Sequence, residues 1–493
     1  MGKYILAVDQ STQGTKGLLF DENGYLIARA DRPHRQIVND RGWVSHDLNE
    51  ILANTRAVCG DVIAKAGVPA EEVAAFGISN QRETTAAWNR ETGEPVCPAV
   101  VWQCARAAEI AQSHSSEAEV IRRKTGLTLS PYFPAAKMQW ILENVPEARG
   151  LADEGKLALG TIDSWLVYSL TEEHAFRTDY SNAARTQLFN LRTLAWDEEL
   201  CRLFTVPAEC LPQPVMSDSV FGFTDLGGVL PRKVPVCGVL GDSNGALFGH
   251  NCRRPGDIKT TYGTGSSVMM NIGNEARISD RGIVTSIAWG IGGSVQYVFE
   301  GNLNYTGAVI SWLKDDVKLI GSAAETAALA AAANPGDTTY FVPAFSGLGA
   351  PYWDPEATGL FTGITRLTGR NEIVKACVDS IAYQITDLVK LMREESGREI
   401  ARLHVDGGPT ANTYLMQFQS DLSETEVDVP EIQELSGMGA AYLAGISAGL
   451  YNETKIFEHV KHTEYRPAMD AERRERLYAG WLEAVGRALT KKR

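Results

Sequence analysis

The chain has no uninterrupted apolar run of about 18 residues, the length a membrane-spanning helix needs. Its start, "MGKYILAVDQ", lacks the layout of a cleavable signal peptide, and Leu6 stands where a myristoylation motif needs Ser or Thr. Positive charge is in deficit: 47 Lys and Arg against 61 Asp and Glu leave a formal charge of −14, which excludes the basic face that nucleic acid or an anionic membrane would require. The 8 cysteines include no C-x-x-C pair, which argues against a zinc or disulfide framework and for reduced, mostly buried thiols in the cytoplasm. Two familiar phosphate motifs are missing as well. There is no G-x-x-x-x-G-K-[ST], and "GTGSSV" (263–268) lacks the third glycine of a dinucleotide fingerprint and lies in a hairpin pattern. "GISAG" (445–449) imitates a nucleophile elbow, but it falls in the Ala/Gly-rich helix pattern "GMGAAYLAGISAGLY", where close helix packing accounts for the glycines.

What remains is an ordinary globular composition, 44% hydrophobic and 22% charged over 493 residues, enough for two large domains. "KYILAVDQ", "GLLFD" and "YLIARADR" are apolar runs separated by turns, the pattern of an opening β-meander. "DLNEILANTRAVCGDVIAKAG" reads as a helix with Asp47 as N-cap and Gly67 at its end. "VAAFGISN" and "TTAAWN" read as strands. A related pattern recurs in "IKTTYGTGSSVMMNIG" (258–273) and "LHVDGGPTANTYLMQFQSDL" (403–422). The repetition predicts a duplicated α/β architecture with a cleft between the copies, divided near "GHNCRRPGD" into residues 1–250 and 251–493.

Both copies contain a turn rich in glycine and hydroxyl residues, "STQGTK" and "GTGSS", whose exposed N–H groups suit an anion. One further junction is informative. "GDSNGALFG" (241–249) places a lone acid, Asp242, between an apolar run and a helix pattern, a position that a helix N-cap also favours.

Together, "AVDQSTQGTKGLLFDENG", "GISNQRETTAAWNRETGEP", "GTIDSWLVYSL", "DYSNAARTQLFN", "TYGTGSS", "PAFSGLGAPYWDPEATGLFTGITR" and "VDGGPTANTYLMQFQSD" resemble the FGGY carbohydrate kinases, and within them the glycerol-kinase branch, over residues 4 to 485. The resemblance implies two actin-like (ribonuclease H-like) ATPase domains, the N-terminal one holding the polyol or sugar and the C-terminal one the nucleotide. It implies an ATP- and Mg²⁺-dependent kinase, and it is compatible with a homodimer or homotetramer. An actin-fold ATPase without small-molecule transfer is the rival reading, and Arg82, Glu83 and Asp242 argue against it.

Carried over position by position, Asp242 matches the catalytic base and Asp9 the acid that holds Mg²⁺. Thr12, Gln13, Lys16, Gly263 and Thr264 fall on the two phosphate turns; Gly307, Ser311, Gly408 and Asn412 fall on the adenosine side. Arg82, Glu83, Trp102 and Tyr132 match the polyol pocket, although a surface ion pair and ordinary core aromatics would use the same residue types. The chain also departs from the branch. Gln13 and Gly14 replace hydroxyl residues, Lys16 replaces an arginine fork with a point charge, and Ser311 replaces a glutamine at the adenine. Ser243 and Ser267 stand where the branch has Gln and Phe, which predicts a wider and more polar pocket.

Overall fold

The computed structural model describes residues 2–490 and contains two large mixed sheets. The first runs in the order Gly222–Thr224, Val234–Gly241, Val73–Asn80, Tyr4–Gln10, Gly14–Phe20, Leu26–Pro33. The second runs His462–Tyr465, Glu426–Pro430, Arg402–Asp406, Ile258–Tyr262, Ser266–Gly273, Ser294–Leu303, Val284–Ile291. Each sheet has three parallel strands at its centre, an antiparallel edge strand on one side and further antiparallel strands on the other, two in the first sheet and three in the second. The duplicated plan expected from the repeated hairpins is therefore present in the parallel centres and their flanking antiparallel strands, although the sheets have six and seven strands.

Burial on both faces explains why the central strands read as continuous apolar runs. In the first strand Ile5 and Ala7 face one side and pack with Leu435, Met438 and Leu443. Leu6 and Val8 face the other and pack with Leu48, Ile51, Val58 and Val62. The latter residues belong to the helix Leu48–Ala66, capped by the Asp47 carboxylate and closed by Gly67 in the left-handed region, as its sequence pattern predicts. The helix Leu435–Ser447 comes from late in the chain yet lies on the first sheet, so the two halves interlock.

That helix crosses Asp242–Gly249 at a distance only glycine permits, since a Cβ on Gly439 would lie 1.9 Å from the Gly245 carbonyl oxygen. The glycines of "GISAG" do other work than the helix packing expected of them. Gly445 makes room for the Tyr451 ring, and Gly449 adopts a φ of 73° after the helix ends. All 8 cysteines are unpaired, and among the described residues no helix is long and apolar enough to cross a membrane.

Beside the turn "STQGTK", His34 and His46 are both buried, with ring centroids 4.5 Å apart and planes nearly perpendicular. Burial pushes both imidazoles below their ordinary pKa, His46 to about 4 with His34 adding to the effect; for His34 the carboxylate of Glu50 opposes it. The native state thus holds them neutral while the unfolded chain protonates near 6.5, so stability falls as pH drops from about 6.5 towards 4. Thermal unfolding at pH 7.5 and pH 5 measures this. The acid-induced drop in Tm should be smaller in His46→Gln than in the parent protein, and equal drops would remove the pair from the explanation.

Candidate active site

The site lies at the carboxyl ends of the parallel strands, where ligands collect in open α/β sheets. In the first sheet Asp9, Ser79 and Leu240 lie side by side in register, and Gln10, Asn80 and Gly241 end the three strands at the same edge. Gly241 is the N-cap residue of the helix Asp242–Gly249, which puts Asp242 in the first helical turn. Asp242 is thus not the N-cap residue itself, although its carboxylate does accept one N–H of that turn. Its carboxylate accepts only the Ser243 N–H at 2.6 Å, and its side chain is 36% exposed to the cleft. Burial pushes this carboxyl above the usual range, and the Arg82 guanidinium, 3.5 Å away, opposes the shift.

Asp9 is 6% exposed and accepts a hydrogen bond from Ser79 Oγ at 2.9 Å. Burial raises its pKa to about 6; Lys16 works against that and Asp242 adds to it, so the two acids sense one another. Lys16 lies 3.9 Å from Asp9 but 2.9 Å from Glu434, which also pairs with Arg29. The Lys16 ammonium is therefore shared between two carboxylates beside the first phosphate turn. Gln13 lies exposed on that turn, its carbonyl accepting the His34 N–H at 3.3 Å. Thr12 is held from the other side, its Oγ1 accepting a bond from Trp102 Nε1 at 2.9 Å. Trp102 in turn packs against Tyr132, with centroids 5.4 Å apart. One aromatic residue thus ties the turn bearing Thr12 to Tyr132.

Arg82 and Glu83 form no surface pair: they are 5% and 3% exposed. Arg82 grips Glu300 through two nitrogens at 2.7 and 3.0 Å, and Glu83 accepts from Arg185 Nε at 2.6 Å. Arg185 also reaches Glu300 at 3.0 Å. Burial alone would raise the pKa of Glu300, but Arg185 and Arg82 outweigh it and hold this carboxyl well below the carboxylate range. Behind the group, buried Lys259 donates to Thr261 Oγ1 at 2.8 Å, and its field also reaches Asp406, Glu300 and Asp242.

Glu300, Arg185 and Lys259 were not singled out from the sequence. Each carries a signal that could have been used: a lone charge inside an apolar or small-residue run, "YVFEGNL", "NAARTQLF" and "IKTTY".

In the second sheet the hairpin turn bearing Gly263 and Thr264 lies against the start of the helix Gly307–Ser311. The Gly263 carbonyl accepts the Gly307 N–H at 2.9 Å and the Thr264 carbonyl the Ala308 N–H at 2.9 Å. A Cβ on Gly307 would sit 2.4 Å from the Gly263 oxygen, so the contact needs glycine. Gly408 is exposed with open space where a Cβ would project. Asn412 has its amide engaged: it caps the helix Thr413–Ser423 through the Leu415 N–H and donates to Thr326 Oγ1 at 3.0 Å. Ser311 is exposed at the end of its short helix. The structure therefore joins Gly263, Thr264 and Gly307 directly, while Asn412 has its side chain committed to the protein.

Ser243 is half-buried beside Asp242. Ser267 lies opposite Asn302 in the antiparallel ladder, on the face that carries Glu300, and its Oγ is buried without a hydrogen-bond partner. Next to this face is a cavity of about 530 Å³ lined by Tyr132, Arg185, Glu300 and Asn302 among others.

A duplicated actin-like ATPase fold with an acid at the carboxyl edge of its first sheet, facing a cleft, defines a class of phosphotransferases. Comparison with known proteins agrees. Residues 4–249 match the model of the FGGY family of carbohydrate kinases, N-terminal domain, and residues 258–448 its C-terminal domain. The chain belongs to the FGGY family of carbohydrate kinases and is a kinase that phosphorylates an alcohol. It is 47% identical to a glycerol kinase of Symbiobacterium thermophilum over 98% of each chain, and 45% identical to one of Treponema denticola over 99% of each. The fold matches a crystal structure of Plasmodium falciparum glycerol kinase with ADP at a TM-score of 0.93 and 32% identity, covering 99% of this chain and 98% of that one. A gluconate kinase from Lactobacillus acidophilus shares the fold at a TM-score of 0.87 and 22% identity.

Proposed function

We propose that this protein transfers the γ-phosphoryl group of ATP to a hydroxyl of a small polyol or sugar in the cytoplasm, with Asp242 as the base. The observation that carries the reading is the Asp242 carboxylate, open to the cleft and 3.5 Å from Arg82 at the edge that also bears Asp9. Asp242 accepts the proton of the reacting hydroxyl as its oxygen bonds to phosphorus and the bond from phosphorus to the ADP oxygen breaks. Its raised pKa makes it a better proton acceptor than an ordinary exposed Asp, while Arg82 favours its ionised form. Arg82 and Glu83 present a donor and an acceptor to neighbouring hydroxyls, held rigid by Glu300 and Arg185. Thr12, Lys16, Gly263 and Thr264 supply hydroxyl, ammonium and N–H groups to the phosphates, with Gln13 on the same turn.

Mg²⁺ fits these residues. Asp9 is a hard oxygen donor whose burial is relieved by a cation, and among the described residues no three His, Cys, Asp or Glu side chains form a closed metal cage. A single carboxylate suits an ion that keeps waters and substrate phosphates as its other ligands. Bound there, Mg²⁺ would neutralise charge on the phosphates.

The short side chains of Ser243 and Ser267 support a pocket wider and more polar than one bounded by Gln and Phe. The partnerless Ser267 hydroxyl is left for a ligand to satisfy. Four- to six-carbon polyols and ketoses are the substrates this predicts, with glycerol as the competing one because the relatives above are glycerol kinases. Measured kcat/KM should favour a longer substrate over glycerol, and the Ser243→Gln, Ser267→Phe double variant should move preference back. Wild-type preference for glycerol over every longer candidate would mean the pocket is refilled by its neighbours.

A further inference from the structure

The cavity of about 530 Å³ adjoins Arg82 and Glu83 through its lining residues Glu300 and Arg185, and its size lies within the roughly 300–1,000 Å³ range of small-molecule sites. A three-carbon triol held by Arg82, Glu83 and Asp242, none of which lines this cavity, would leave most of it unused. Its lining has a definite chemistry. Arg185 and Glu300 border it, but these charges are spent on each other at 3.0 Å and on Glu83 and Arg82. The other polar side chains of the lining are neutral: the hydroxyls of Thr128, Ser130 and Tyr132, the indole of Trp353 and the amides of Asn302 and Asn304.

Asn302 and Asn304 lie two apart at the end of the strand Ser294–Leu303 and just beyond it, and both are exposed to the cleft. The Asn302 amide makes one long contact, 3.4 Å to Glu300, and faces the same side of the sheet as the partnerless Ser267 hydroxyl opposite it. Amides and hydroxyls, which both donate and accept, match the alternating donors and acceptors of a polyhydroxylated chain. Since the lining charges cancel, nothing there repays the desolvation of an anionic tail.

We propose that Asn302 and Asn304 form a distal subsite that hydrogen-bonds the far hydroxyls of a neutral linear polyol or ketose of four to six carbons, and that this subsite discriminates against both glycerol and sugar acids. The proposal rests on the kinase reading above. In it, Asp242 and Arg82 fix the reacting end of the substrate and the asparagines select its length and charge.

The test measures kcat/KM for glycerol, erythritol, ribitol, xylitol, a ketopentose and gluconate in the full-length protein and in Asn302→Ala and Asn304→Ala. Both side chains are exposed, so the variants should fold, and their Tm verifies it. The expected result is a neutral four- to six-carbon substrate preferred over glycerol and gluconate, with each variant lowering that selectivity ratio by about three- to tenfold, the worth of a lost hydrogen bond. Calorimetric binding of the preferred polyol to Asp242→Asn should weaken by a similar factor when Asn302→Ala is added. Preference for gluconate, or a ratio unchanged in both variants, overturns the subsite while leaving the kinase reading intact. Failure to phosphorylate any polyol overturns the kinase reading and the subsite with it.

Discussion

Asp242→Asn should lower kcat by roughly 10²–10⁴, the range expected for removing a positioned proton acceptor. The substitution preserves volume, and the Asn Oδ1 can still accept the Ser243 N–H that the carboxylate holds in the first turn of the helix Asp242–Gly249. Folding should therefore be retained and ATP affinity little changed. Asparagine cannot accept the hydroxyl proton at neutral pH, so the alcohol would have to lose it to water while attacking phosphorus. Rapid-mix kinetics with the preferred polyol separates this step from binding, and a nucleotide titration provides the control. A decrease of less than about tenfold would remove Asp242 from the role of base. A comparable loss of nucleotide affinity would instead make it part of the phosphate site.

Glu300→Gln should be the most damaging single change outside the reacting groups. Glu300 is 1% exposed and receives both Arg82 and Arg185. Neutralising it leaves two guanidinium groups buried with Glu83 and a share of Asp242 as compensation. Breaking a buried ion pair from one side typically costs about 3–5 kcal/mol. Glutamine keeps the shape and one acceptor oxygen, so the lower end of that span is expected, read as a fall in Tm or in the denaturant midpoint. A second consequence follows from geometry. Glu300 belongs to the second sheet, whereas Arg82 and Arg185 come from the first half of the chain, so this carboxylate ties the cleft walls together. With the tie weakened, Arg82 is no longer held beside Asp242, and KM for the polyol should rise more than KM for ATP. Unchanged stability with unchanged polyol KM would show that the arginines find other partners.

The duplicated α/β plan was legible because it is local. A run of apolar residues buried on both faces, a glycine turn and a capped helix each occupy a short stretch of chain, and the same succession occurs twice. The residues proposed for the chemistry were legible in a different way: Asp9, Thr12, Arg82, Glu83 and Asp242 lie in compact motifs whose spacing is set by a strand end and a turn. The family membership came from the density of those motifs, and the comparisons bear it out.

Only the tertiary structure decided the partners. Arg82 and Glu300 are separated by 218 positions, and Lys16 and Glu434 by 418. No local pattern encodes such pairings, because a buried charge is stabilised by whatever opposite charge the fold brings to it. Likewise the exposure of Asp242, the idle hydroxyl of Ser267 and the neutral asparagines facing it depend on how two sheets and a returning helix close around a cleft. The sequence by itself determined that this chain carries the parts of a phosphotransferase. The packing of its two halves decided which of those parts are held rigid, which are committed elsewhere and which are left open for a substrate.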